Sequence, residues 1–144
     1  MLVTENMRFF YFAVFVKIFT IQGGFKMEDK KMKNVTLGKT GLQVPAIVAG
    51  CMRLVELEEK AAANYIENAV DLGVNYFDHA DIYGRGECES LFGRALKNTA
   101  IKREDIFVQS KCGIIPGKMY DLSKKHILAS VEGSLKRLDM EYLD

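Results

Sequence analysis

From Ala46 onward the sequence alternates short apolar runs with stretches of helical period, three times over. AIVAG (46–50) leads into LEEKAAANYIENAVDLG, where Ala62, Tyr65, Ile66 and Ala69 stand at i, i+3, i+4 and i+7 and Gly73 supplies the stop. VNYFDHA leads into CESLFGRALK, with Cys88, Leu91, Phe92, Ala95 and Leu96 on one helical face. IFVQSKCG leads into DLSKKHILASVEGSLKRLD, a helix capped by Asp121 or Ser123 and carrying Ile127, Val131, Leu135 and Leu138. A fourth strand is due where the sequence reads EYLD. Strand then helix, repeated, implies parallel strands with helices packed outside them. Just ahead of the cycle, NVTLGKTGLQV reads as two short strands joined around Gly38–Gly41, a hairpin by its turn chemistry.

Two architectures satisfy this pattern, an open doubly wound sheet and a (β/α)8 barrel. The open sheet carries its ligand on a glycine-rich loop after a strand. GRGECE (84–89) starts that fingerprint but ends on Glu89, which would set a negative charge beside a pyrophosphate, so the fingerprint fails.

Composition narrows the function. With 49% hydrophobic and 27% charged residues among 144, the chain has the balance of a globular domain. A formal net charge of +1 argues against a nucleic-acid partner, which calls for a basic face. The lysine-rich KMEDKKMK (26–33) is interleaved with Glu28 and Asp29 and reads as a solvated linker. Cys51, Cys88 and Cys112 lie far apart without a C-x-x-C pair, which suits a reducing cytoplasm and argues against a zinc site or a disulfide framework.

The first 31 residues stand apart. RFFYFAVFVKIFTI (8–21) is the most apolar stretch, shorter than a membrane helix requires and interrupted by Lys17. Residues 1–31 read best as an extension outside the domain, with Met27 or Met32 as the true translation start. A membrane anchor is the second reading and an aggregation-prone tail the third. The domain is 32–144.

Chemistry concentrates at two strand ends. Alternation puts Val74, Tyr76, Asp78 and Ala80 on one face of the second strand, and Asn75, Phe77 and His79 on the other. With Phe77 toward the helices, Asp78 faces the interior of a barrel near the carboxyl end of its strand, where the active sites of such barrels sit. Lys111 occupies the same end of the third strand, about 4.8 Å away across a parallel pair. Tyr83 follows on the loop beyond Asp78. An ammonium about 4 Å from a phenol favours phenolate by up to ~4 kcal/mol at an effective dielectric near 20, or about three pKa units. Asp78 would keep Lys111 charged and oriented, and Tyr83 would be a tuned general acid. A surface ion pair and an unrelated tyrosine would explain each residue alone, but not all three at successive strand ends.

LGKTGLQVPAIVAG, FDHADIYG, REDIFVQSKCG and SVEGSLKRLDMEYLD together resemble the aldo-keto reductase family over Lys33–Asp144. FDHAD and SKCG resemble a branch of bacterial oxidoreductases. The resemblance implies the N-terminal part of a (β/α)8 TIM barrel: the hairpin that closes its bottom and about three βα units. It implies reduction of aldehydes and ketones with NADPH, without metal or flavin. Matched by motif, Asp78, Tyr83 and Lys111 correspond to three of the family's four catalytic residues. Gly50, Cys51, Met52 and Arg53 match the loop that lies against the nicotinamide.

The family's fourth catalytic residue, a histidine, is expected a few residues past Asp144, and the loops that bind the adenosine phosphate later still. His79 should face the helices and His126 should lie mid-helix, so neither replaces it. A barrel takes at least about 200 residues, and Met32–Asp144 supplies little more than half of that. The expectation is a weak or inactive enzyme from this chain alone, prone to self-association through open barrel edges. The substrate would be a small carbonyl compound, which the sequence does not specify further. Two other readings are a metal-dependent hydrolase using Asp78, His79 and Asp81, and a non-catalytic remnant or regulatory subunit of the same family type.

Overall fold

The computed structural model describes residues 32–117 and 119–144, so the readings attached to residues 1–31 lie outside the described residues. Lys31–Asp144 forms a compact unit. It begins with the expected hairpin, β1 (Asn34–Thr36) and β2 (Gln43–Pro45), antiparallel with Val35 opposite Val44. Gly38 and Gly41 take the left-handed backbone that this turn requires.

Three parallel strands follow in sequential order: β3 (Ala49–Gly50), β4 (Tyr76–Asp78) and β5 (Phe107–Gln109). Gly50 sits opposite Asp78, and Asp78 opposite Gln109. Between them run α1 (Glu59–Asp71) and α2 (Glu87–Lys97), and α3 (Lys124–Leu138) closes the described part. α1 buries Ala62, Ala63, Ile66 and Ala69 and ends before Gly73, which is left-handed. α2 buries Cys88, Leu91, Phe92, Ala95 and Leu96. Phe77 and Phe92 meet at 5.0 Å between ring centroids, at the centre of the core between sheet and helices.

Four expectations are corrected. The first strand of the cycle is shorter than AIVAG: pairing starts only at Ala49, and Ile47 and Val48 are exposed. A two-residue hairpin not foreseen in the sequence, β6 (Ile114–Ile115) with β7 (Met119–Tyr120), lies between β5 and α3. In α3 the buried residues are Ser134 and Leu138, whereas Ile127 and Val131 are exposed, because the helix docks on α2 through its C-terminal turns. Ser123 is the cap, accepting from the His126 amide; His126 thus lies in the first turn rather than mid-helix. Asp121 instead accepts from the Ser123 amide.

Candidate active site

β4 and β5 present the side chains of the site at and just past their carboxyl ends. β4 turns Phe77 and His79 to the helices, where His79 packs edge-on against Phe92 at 4.6 Å. Asp78 is thereby directed to the opposite face. Backbone pairing continues past the regular strands: the His79 amide donates to the Gln109 carbonyl and the Asp81 amide to that of Lys111. The two strand ends are therefore held side by side where the side chains must meet.

Lys111 Nζ donates to Asp78 Oδ1 at 2.6 Å and to the His79 carbonyl at 2.6 Å. It also stands 4.9 Å from the centroid of the Tyr83 ring, within cation–π range. Asp78, Lys111 and Tyr83 are thus brought together. Partial burial disfavours charge on Lys111, but hydrogen bonding to Asp78 and Tyr83 outweighs it and raises the lysine above its ordinary range. Burial likewise pushes the Asp78 carboxyl up, and hydrogen bonds from Lys111 and Gln109 more than reverse this, holding it below the usual carboxylate range. The pair is ionised throughout the neutral range.

Tyr83 opens a short 3-10 turn, Tyr83–Gly86, in which Gly84, Arg85 and Gly86 all have positive φ. That reversal turns the chain from the strand end into α2 within four residues. The spacing of FDHADIYG follows from it: the strand ends on the carboxylate, and the tyrosine folds back over it before the glycines redirect the chain.

The loop after β3 borders the same site. The Cys51 amide donates to the Asp78 carbonyl, Tyr65 Oη to the Gly50 carbonyl, and Cys88 Sγ to the Met52 carbonyl. Gly50 has open space where a side chain would project, directly across from Asp78, and Met52 and Arg53 are exposed. These features fit a flat ring laid against Gly50. Cys51 fits only through its backbone, since its thiol is buried in the core and burial, with the nearby Asp78 charge, pushes it far up.

Sequence reading missed Gln109, which donates from Nε2 to Asp78 and accepts at Oε1 from Tyr76 Oη at 2.7 Å. Its signal was available, because Gln109 and Lys111 share a strand face by alternation. Asp78, His79 and Asp81 do not converge, since His79 is on the helix side. Among the described residues no group of three such side chains gathers to hold a metal, and no helix is long and apolar enough to cross a membrane.

Residues 46–144 match the model of the aldo/keto reductase family. The chain belongs to that family. It is 42% identical over 114 residues to YcsN, an uncharacterized oxidoreductase of Bacillus subtilis, covering 72% of this chain and 38% of that protein. It is 35% identical over 122 residues to the oxidoreductase YdhF of Escherichia coli, covering 78% and 41%. A rice protein named as a probable voltage-gated potassium channel subunit beta is 36% identical over 118 residues, covering 78% and 36%. Among solved structures, the holo form of aldo-keto reductase AKR11C1 from Bacillus halodurans superposes with a TM-score of 0.67 at 37% identity, over 78% of this chain and 38% of that one. The chain therefore spans about two fifths of the length of the relatives it matches. Its fold is the N-terminal portion of the TIM barrel of the aldo-keto reductases.

Proposed function

We propose that Asp78, Lys111 and Tyr83 form the proton-delivering part of a carbonyl reductase that uses NADPH, and that this chain alone is a weak or inactive one acting in the cytoplasm. The observation that carries the reading is the double anchoring of Lys111 by Asp78 and the His79 carbonyl, with its ammonium over the Tyr83 ring. Residues 32–144 are the working partial barrel, and residues 1–31 an extension to it.

In this mechanism the nicotinamide, when bound, supplies hydride to the carbonyl carbon. Gly50 offers it a bare surface, the backbone of Cys51 its edge, and Met52 and Arg53 the flank of the loop. Tyr83 Oη would give its proton to the carbonyl oxygen, which becomes the hydroxyl of the alcohol product. Lys111 stabilises the phenolate left on Tyr83. Asp78 keeps the ammonium charged and aimed, and Gln109 keeps Asp78 in place. A positioned general acid contributes about 10²–10⁴-fold to such a step.

The test is NADPH fluorescence titration and aldehyde turnover for the chain, its Tyr83→Phe variant and a full-length relative. Weak binding and slow turnover, reduced about 10²-fold or more in Tyr83→Phe, is the expected result. Turnover insensitive to Tyr83→Phe would remove the tyrosine from the chemistry, and turnover equal to the full-length relative would overturn the assignment of a weak enzyme. The likeness to the rice channel-subunit protein favours one second reading, a non-catalytic regulatory subunit. Tight NADPH binding without turnover, equal in the chain and in Tyr83→Phe, would support it.

A further inference from the structure

On the helix side of the sheet, behind Lys111, a carboxylate lies wholly inside the protein. Glu89, in the first turn of α2, has no solvent exposure. Its Oε1 accepts from Ser110 Oγ at 2.6 Å, and its Oε2 accepts from Arg137 Nε of α3 at 2.6 Å. Burying a carboxylate is costly, and apolar residues of similar size often serve packing as well as an ion pair does. Packing alone is therefore a poor reason for Glu89.

What Glu89 holds supplies a better reason. Ser110 and Lys111 are consecutive residues just past β5, where backbone pairing continues in extended form, so their side chains leave the chain on opposite faces. Ser110 is taken on the helix side by Glu89; Lys111 reaches the other side, to Asp78 and the His79 carbonyl. The Lys111 carbonyl is meanwhile fixed by the Asp81 amide. The peptide that carries Lys111 is thus held from behind and along its flank.

The anchor of Glu89 is fixed in turn. Arg137 Nη2 also donates to Ser134, and the guanidine stem crosses Gly86, where a side-chain carbon would come within 2.7 Å of Arg137 Cδ. Gly86 is left-handed as well, so both its space and its backbone suit glycine there.

We propose that Glu89, anchored by Arg137 and hydrogen-bonded to Ser110, is a positioning residue that sets the approach of Lys111 to Asp78 and Tyr83. The inference rests on reading those three residues as the reacting site, but its test does not use turnover. The full chain is labelled at lysine with 13C and 15N, and the Lys111 signals, assigned by Lys111→Arg, are followed through alkaline pH by NMR. Melting temperature is recorded alongside.

In Ser110→Ala the protein should stay folded while the Lys111 midpoint falls by about half a pH unit or more toward ordinary lysine. Ser110→Thr, which keeps the hydroxyl, should restore it. Glu89→Gln should move the midpoint in the same direction as Ser110→Ala. An unchanged Lys111 midpoint in folded Ser110→Ala would overturn the proposal, leaving the network a purely structural one. Loss of the fold in Ser110→Ala would overturn it too, because the link would then hold the domain rather than the lysine. Failure of the reductase reading would appear separately, as turnover indifferent to Tyr83→Phe.

Discussion

His79 shows how far one residue's environment can depart from its neighbour's. Asp78 faces the site and is held ionised, whereas His79, the next residue, is fully buried against Phe92 with no hydrogen-bond partner for either ring nitrogen among the described residues. Burial brings its pKa down from 6.5 to about 4, against the opposing pull of Glu89 and Asp78 and with a smaller push from Lys111. A depressed pKa means that the unfolded chain takes up the proton first. His79 therefore contributes its full stability above pH 6.5 and loses it as pH falls toward about 4. The loss amounts to about 3 kcal/mol at most. Asp78, also depressed, loses its contribution only below its ordinary value of 3.8, and Lys111, raised, loses its own only above 10.5. The drop between pH 6.5 and 4 thus belongs to His79 rather than to the ion pair. Urea unfolding at pH 7 and pH 5 should show it, and His79→Leu should shrink the difference between the two pH values. An equal difference in the variant would assign the acid sensitivity elsewhere.

At the scale of elements, the contact between α2 and α3 turns on Gly93. In an isolated helix alanine is preferred to glycine by about 1 kcal/mol. Here a Cβ on Gly93 would lie 2.7 Å from the carbonyl carbon of Leu138, which is backbone and has no rotamer to change. Steric conflict should win, with Gly93→Ala destabilising by about 1–3 kcal/mol in urea unfolding. A variant as stable as the parent would mean that the two helices separate freely. This close approach also explains what sequence reading could and could not see in α3. The period of Ile127, Val131, Leu135 and Leu138 announces a helix with an apolar stripe, but period alone does not say which neighbour covers it. Docking near Gly93 uses Ser134 and Leu138 and leaves the stripe's first half bare. The hairpin β6–β7 was marked in the sequence by Pro116-Gly117, a turn dipeptide, yet strands of two residues carry too little alternation to register. Asp78 and Lys111 were legible because strand alternation and parallel pairing are rigid rules. Glu89 was visible only as the residue that spoiled a glycine fingerprint, since its partners come from 21 and 48 residues away.

The whole molecule carries the consequence of that bare stripe. Its central sheet has three parallel strands among the described residues, so β3 and β5 are edges, and the amide of Asp144 already donates to the Val108 carbonyl on the β5 side. Ile127, Leu128 and Val131 are 38%, 53% and 40% exposed along one face of α3, and Ile47 and Val48 are exposed just ahead of β3. Contiguous apolar surface and unpaired strand edges both favour contact between copies. Sedimentation velocity should accordingly show association that grows with concentration. The double variant Ile127→Glu, Val131→Lys isolates the helix face, because it leaves the strand edges and the apolar run at 8–21 untouched. It should weaken association while changing unfolding free energy by no more than about 0.5 kcal/mol, as expected of surface positions. Association unchanged in that variant would remove α3 as its seat and leave the strand edges or the N-terminal run. A chain that is monomeric at every concentration would show instead that its exposed apolar residues are too dispersed to act together.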